Sequence, residues 1–176
     1  YDIGGGKFDH HQKGGNGQRQ NGVKYAACGL IWNEYGRQLL QKYEVDEIEY
    51  TWDYIDKNLI QFIDANDNGQ LPKLETGYRN MHLSYIVSLF NPKWDEEKDS
   101  DINFMKALDL CKNIFDEFLH DSISKIKAKK FVDEAIKKSN NGILVLDEFM
   151  PWKEFLLESK DEKAKKINFA VFPSAR

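Results

Sequence analysis

Tyr1-Asp2-Ile3-Gly4-Gly5-Gly6-Lys7-Phe8-Asp9-His10-His11-Gln12 opens the chain and carries its most specific chemistry. Tyr1 to Ile3 reads as the end of a buried strand. The three glycines that follow bring bare backbone close to a site, and Phe8 is expected to anchor the next acid beside the core. Adjacent histidines at a strand end project in different directions, so two roles are expected rather than one. His10 is placed on a hard divalent metal and His11 against an anionic substrate, while Asp9 orients a ring nitrogen as acceptor. Such a mixed nitrogen and oxygen environment suits Mn²⁺ or a similar ion. A two-metal site needs further carboxylates, and Asp2, Asp64 and Asp67 stand at the ends of expected elements where they could converge.

Outward from this stretch, Ile3 to Gly22 is rich in Gly, Gln, Asn and Lys and has no apolar period, so it is expected to be loop beyond Phe8. From Ala26 to Tyr43 the apolar residues Leu30, Ile31, Tyr35, Leu39 and Leu40 recur at helical spacing. A second helix is expected over 46–64 on Ile48, Trp52, Ile55, Leu59, Ile60 and Ile63, stopped by Asp64-Ala65-Asn66-Asp67-Asn68-Gly69. Met81 to Phe90 reads as a shorter helix closed by Asn91-Pro92, because proline disfavours helical geometry in the residue before it. The stretch 94–100 is an acidic connector. Residues 101–138 predict one long helix or two in series, with Phe104, Leu108, Cys111, Ile114, Phe115, Phe118 and Leu119 in the first half. After the Ser139-Asn140-Asn141-Gly142 break, Ile143 to Leu146 and Ile167 to Phe172 read as strands flanking a short helix over 151–158. This change of pattern places a domain boundary near residue 140.

The chain has 176 residues, 41% of them apolar and 13% aromatic, enough for one packed domain or one domain and part of another. A formal net charge of −4 argues against a broad basic footprint for long duplex nucleic acid. No apolar run approaches the ~20 residues of a membrane helix. Cys28 and Cys111 sit in apolar helical patterns and imply neither a disulfide framework nor a thiolate zinc site. Gly14, Gly15 and Gly17 do not form a Walker-type loop, so no nucleotide cofactor is assigned. His82 and His120 lie on expected helices without partners at metal spacing. Lys127, Lys129 and Lys130 form a basic cluster read as a solvated face.

Asp2-Ile3-Gly4-Gly5-Gly6-Lys7-Phe8-Asp9-His10-His11-Gln12, followed by Gly29-Leu30-Ile31-Trp32, resembles the melanocyte proliferating gene family of the DHH phosphoesterase superfamily. Three later stretches agree in order: Ile63 to Gly69, Leu89-Phe90-Asn91-Pro92-Lys93-Trp94, and Pro151-Trp152-Lys153-Glu154. The resemblance implies a three-layer α/β/α domain with a mainly parallel sheet, helix-rich over these residues. It spans 1–139, and the start of a smaller α+β substrate-binding domain follows over 140–176. It also implies two Mn²⁺-type ions and phosphodiester hydrolysis, with RNA or short oligonucleotides as substrates. Carried over by position, Asp2 matches a bridging ligand, His10 the metal-binding histidine, His11 its phosphate-facing neighbour, and Asp67, or less directly Asp64, the later acidic ligand.

The family's first metal-binding motif and its C-terminal Gly-Gly-His segment have no counterpart in these residues. The chain is therefore expected to be part of a longer enzyme, and activity is expected of that parent. The compartment expected is cytoplasmic for a bacterial chain, or intracellular, including nucleus or mitochondrion, for a eukaryotic one. Two rival readings are hydrolysis of a small phosphorylated molecule such as pyrophosphate or a cyclic dinucleotide, and a non-catalytic binding or scaffold domain. No stacking stripe of aromatic and basic residues supports long RNA in the sequence.

Overall fold

The structure is a computed structural model, and it describes residues 4–72, 81–96 and 99–174. Asp2 and the expected strand end over 1–3 lie outside the described residues. Packing divides the chain into two compact units, Tyr1–His120 and Asp121–Arg176.

The first unit begins with glycine-rich turns and continues into α1, Ala27–Lys42. Of the apolar set expected on α1, Leu40 is buried, whereas Tyr35 and Leu39 are exposed. The stripe actually buried is Gly29, Trp32, Gly36 and Leu40. Two glycines serve there because side chains occupy the space, Asp64 and Arg19 at Gly29 and an aromatic pair at Gly36. Trp32 and Trp52 stack with ring centroids 6.3 Å apart, and a Cβ on Gly36 would meet both rings at 2.8–2.9 Å. Each indole N–H also faces the other residue's carbonyl, at 3.3–3.4 Å.

The second expected helix forms as α2, Ile48–Ile55, and α3, Gln61–Asp67, joined without a break by a π-turn over Asp56–Ile60. The π-turn explains why two acids far apart on this segment share a face. In an α-helix, eight residues turn through about 800°, which would leave Asp64 roughly 80° round from Asp56. The wider turn takes up about one extra residue and removes roughly 100° of that rotation, bringing the two acids nearly into line. Helical structure runs past Asp64 to Asp67 and stops at Gly69, whose φ of +66° is the left-handed geometry a helix end favours. Gln70 N–H closes the turn on Ala65 C=O at 2.7 Å. Asp64 is therefore inside a helix, and Asp67 at its end.

A short helix α4, Leu83–Ser88, is capped by His82, whose Nδ1 accepts the Tyr85 N–H at 3.2 Å. That gives His82 a structural role. Residues 101–138 prove to be one helix, α5, Ser100–Lys138. Phe104 and Leu108, expected to face the core, are exposed, and the buried positions of its first half are Ala107 and Leu119. The boundary between the units falls within α5.

In the second unit β1, Ile143–Val145, pairs in parallel with β2, Phe169–Val171, in the register Ile143–Phe169, Leu144–Ala170 and Val145–Val171. A parallel pair requires a crossover connection, supplied by α6, Lys153–Glu158, and a 3₁₀ turn, Ala164–Lys166. Leu144 is fully buried and Phe155 nearly so. The α/β class expected from the sequence is observed in a helix-rich form, with two strands in the sheet among the described residues. No described helix is long and apolar enough to cross a membrane.

Candidate functional site

Asp9 is the knot of the loop that carries the histidines. Its Oδ2 accepts the Gly5 N–H at 2.8 Å and its Oδ1 the His11 N–H at 2.9 Å. The same Oδ1 lies 3.3 Å from His11 Nδ1. Its backbone carbonyl accepts the Asn16 and Gln12 amides at 2.8 and 3.1 Å. The N–H of Gly5, then that of His11, hold the Asp9 carboxyl below its ordinary value of 3.8. An ionised Asp9 favours the His11 tautomer with its proton on Nδ1, which leaves Nε2 as the acceptor nitrogen. Phe8 anchors this knot as expected: it is buried and packs on Tyr35 at 5.9 Å between centroids.

His10 points elsewhere. Its side chain is only 6% exposed, and Nε2 lies 3.5 Å from Oδ2 of Asp67, which is half-exposed. The two imidazoles lie with centroids 4.2 Å apart and planes inclined by 36°. The rings therefore lie against one another and do not project apart as expected; their nitrogens nevertheless meet different partners, Asp67 for His10 and Asp9 for His11.

The geometry of the first pair can be tested against a metal. Two donors each about 2.1 Å from one ion, subtending about 90–120°, are roughly 3.0–3.6 Å apart. His10 and Asp67 fall within that range. Among the described residues no group of three or more His, Cys, Asp or Glu side chains could hold a metal, so the pair supplies at most two donors. It fits two positions in the coordination shell of a single ion.

Asp64 has a different occupation. It is fully buried, its Oδ2 accepts from Arg19 Nη1 at 2.7 Å, and its Oδ1 accepts the Gly29 N–H at 2.9 Å. Arg19 also grips Asp56 with two bonds, Nε to Oδ2 at 2.9 Å and Nη2 to Oδ1 at 2.6 Å. Burial pushes the Asp64 carboxyl above its ordinary value, against the pull of Arg19 and the Gly29 N–H. Burial also opposes the charge on Arg19, but its bonds to Asp56 and then Asp64 outweigh that and raise its pKa. The structure thus brings Asp67 to His10 and commits Asp64 to Arg19. Beside this network burial, then the Asp64 charge, push the Cys28 thiol up to about 12, so it is no thiolate ligand at neutral pH.

Arg19 and Asp56 are the residues that sequence reasoning missed. Asp56 carried a usable signal, an acid inside an apolar helical segment. Arg19 carried none locally, because its partners lie 37 and 45 positions away.

Across residues 1–176 the chain matches the family described as Uncharacterised protein family (UPF0160), whose short name is MYG1_exonuc. It is 31% identical to the MYG1 protein of Saccharomyces cerevisiae, over 94% of this chain and 57% of that one. Identity to the MYG1 protein of Schizosaccharomyces pombe is 30%, over 96% and 58% respectively. A Chlamydia pneumoniae MYG1 protein is 26% identical over 99% of this chain and 54% of its own length. The chain spans a little over half the length of these curated relatives. No solved structure matches it.

Proposed function

The chain belongs to the UPF0160 (MYG1_exonuc) family, and from that premise we propose that it carries part of the active site of a metal-dependent phosphoesterase acting on RNA or short oligonucleotides. In this reading the complete protein has a three-layer DHH-type domain with a dinuclear Mn²⁺-type centre. The observation that carries the proposal is the 3.5 Å approach of His10 Nε2 to Asp67 Oδ2, beside a histidine already oriented by a carboxylate. His10 and Asp67 would hold one ion, with Asp2 as the next donor in the chain. A divalent metal at such a site lowers the pKa of water and draws charge from phosphoryl oxygens.

The remaining roles belong to the chain itself. Asp9 holds His11 so that Nε2, in the imidazolium form, donates to a phosphoryl oxygen or to the leaving oxygen. Asp64 acts indirectly, keeping α3 in the rotation that turns Asp67 toward His10. The mostly buried His10 ring excludes water from one side of the donor pair.

Mn²⁺ binding to the 176-residue chain, followed by loss of the free-ion EPR signal, tests the ligand assignment. His10→Ala and Asp67→Ala are each expected to abolish the binding seen with the unaltered chain, and to abolish hydrolysis of a short ribo-oligonucleotide in the complete protein. Unchanged Mn²⁺ binding in both variants would sink the assignment.

The Asp9 knot supplies a pH signature. A carboxyl whose folded-state pKa is lowered stabilises fully above its ordinary value of 3.8 and loses that contribution as pH falls through the folded value. The Gly5 and His11 amide resonances are expected to shift together in acid, below about pH 4. In Asp9→Asn that joint transition should be absent, and its persistence would show that another group controls the loop.

A further inference from the structure

A second feature lies on the loop side of His10. A cavity of about 510 Å³ is lined by His10, the turn from Gly14 to Gln18, Lys24, Tyr25 and Asn68. Its wall is backbone where Gly14, Gly15 and Gly17 adopt φ of +99°, +69° and +87°, geometry that favours glycine. We propose that this cavity is a subsite for one nucleotide of the substrate, with Lys24 as its phosphate-binding cation. The inference rests on the phosphoesterase reading and narrows it to substrates that carry a base.

The size, about 510 Å³, favours the larger candidates. A phosphate or pyrophosphate ion fills part of that space and a nucleoside monophosphate most of it. The volume also lies within the roughly 300–1,000 Å³ of small-molecule sites.

Charge points the same way. None of the described lining residues is acidic, and the exposed Lys24 ammonium has no carboxylate partner among the described residues. An anion is the complementary ligand.

The polar lining suits a base in particular. Asn16 donates through Nδ2 to the Lys7 and Asp9 carbonyls, at 3.2 and 2.8 Å. Asn68 donates through Nδ2 to the carbonyls of Lys24 and Asp64, at 3.4 and 3.0 Å. Both side-chain amides are thereby fixed in orientation, which makes each Oδ1 an acceptor suited to the N–H groups on a base edge. Tyr25 adds an aromatic ring already covered by the Arg19 guanidinium at 4.3 Å, so a base meeting it enters an existing stack.

The test is a metal-free NMR titration of the isotope-labelled 176-residue chain with uridine monophosphate, uridine and inorganic pyrophosphate in separate arms. Uridine monophosphate is expected to shift the amides of Gly14, Gly15, Gly17 and Asn68 saturably, and to bind more tightly than either other probe. Lys24→Ala should weaken it by about tenfold, the loss of one charge-assisted contact, and Lys24→Arg should restore it. Equal binding of pyrophosphate at the same amides, equal binding of uridine, shifts mapping away from the loop, or an unaffected Lys24→Ala would each overturn the subsite. Nucleotide binding by a chain that takes up no Mn²⁺ would support the subsite and overturn the metal reading. Mn²⁺ uptake without nucleotide shifts would do the reverse.

Discussion

Arg19→Ala is expected to cost about 3–5 kcal/mol of stability, because it leaves buried carboxylates without their counter-charge. Asp64 is fully buried and Asp56 retains 4% exposure, so neither can recover its hydration by a small movement. Asp56 would keep the Gln61 amide at 2.8 Å and Asp64 the Gly29 N–H, but neither donor carries a full charge. Urea unfolding followed by Trp32 and Trp52 fluorescence measures the effect on the unit concerned. A control separates charge from packing. Arg19→Met combined with Asp56→Asn and Asp64→Asn leaves no lone charge and should cost less than Arg19→Ala alone. If the single variant loses under about 1 kcal/mol, the net contribution of a typical hydrogen bond, the network does not hold the unit together.

Gly29→Ala is the second large effect, expected at about 3 kcal/mol or more from overpacking together with a lost charge-assisted hydrogen bond. A Cβ there would fall inside the van der Waals shell of Asp64 Oδ2 and lie 2.8 Å from Arg19 Nη2. Neither atom can retreat, since both belong to the same buried ion pair. Displacing Asp64 would also break its bond to the Gly29 N–H, so one methyl group disturbs three elements. Gly15 is a useful comparison: an added Cβ meets nothing within 4 Å, and only its φ of +69° resists replacement. The same unfolding experiment should therefore show Gly15→Ala as the milder change. A Gly29→Ala chain as stable as the unaltered one would mean that α1 does not pack this closely on α3.

These effects also mark where sequence reasoning stopped. Periodicity located α1 and the whole of α5, because hydrophobic spacing is a local property. It did not locate the π-turn, which leaves the apolar pattern nearly intact while changing the rotation of everything after it. The run Asp64 to Gly69 was recognised as a helix end, but the end lies at Gly69, where left-handed geometry is required. That difference bears on the donor set: it places Asp64 inside the helix against Arg19 and leaves Asp67 at the tip facing His10. The Asp9-His10-His11 triplet was legible because its residue types are informative in themselves. Arg19 was not, since an arginine in a polar loop reads as solvated until distant acids are shown to surround it.

The π-turn makes the segment 48–67 a length standard as much as a scaffold. Lys57 and Asn58 lie exposed within the turn, where a change of side chain disturbs little packing. Their number is tied to the winding. Loss of one residue there with regular winding restored would keep both acids in phase, since seven α-helical residues turn through about the same 700° as these eight. Loss or gain of a residue with the π-turn retained would swing Asp64 and Asp67 off their partners by about 100°. An insertion or deletion in this stretch therefore has to be compensated within it, whereas one after Gly69 leaves the angular phase of both acids untouched.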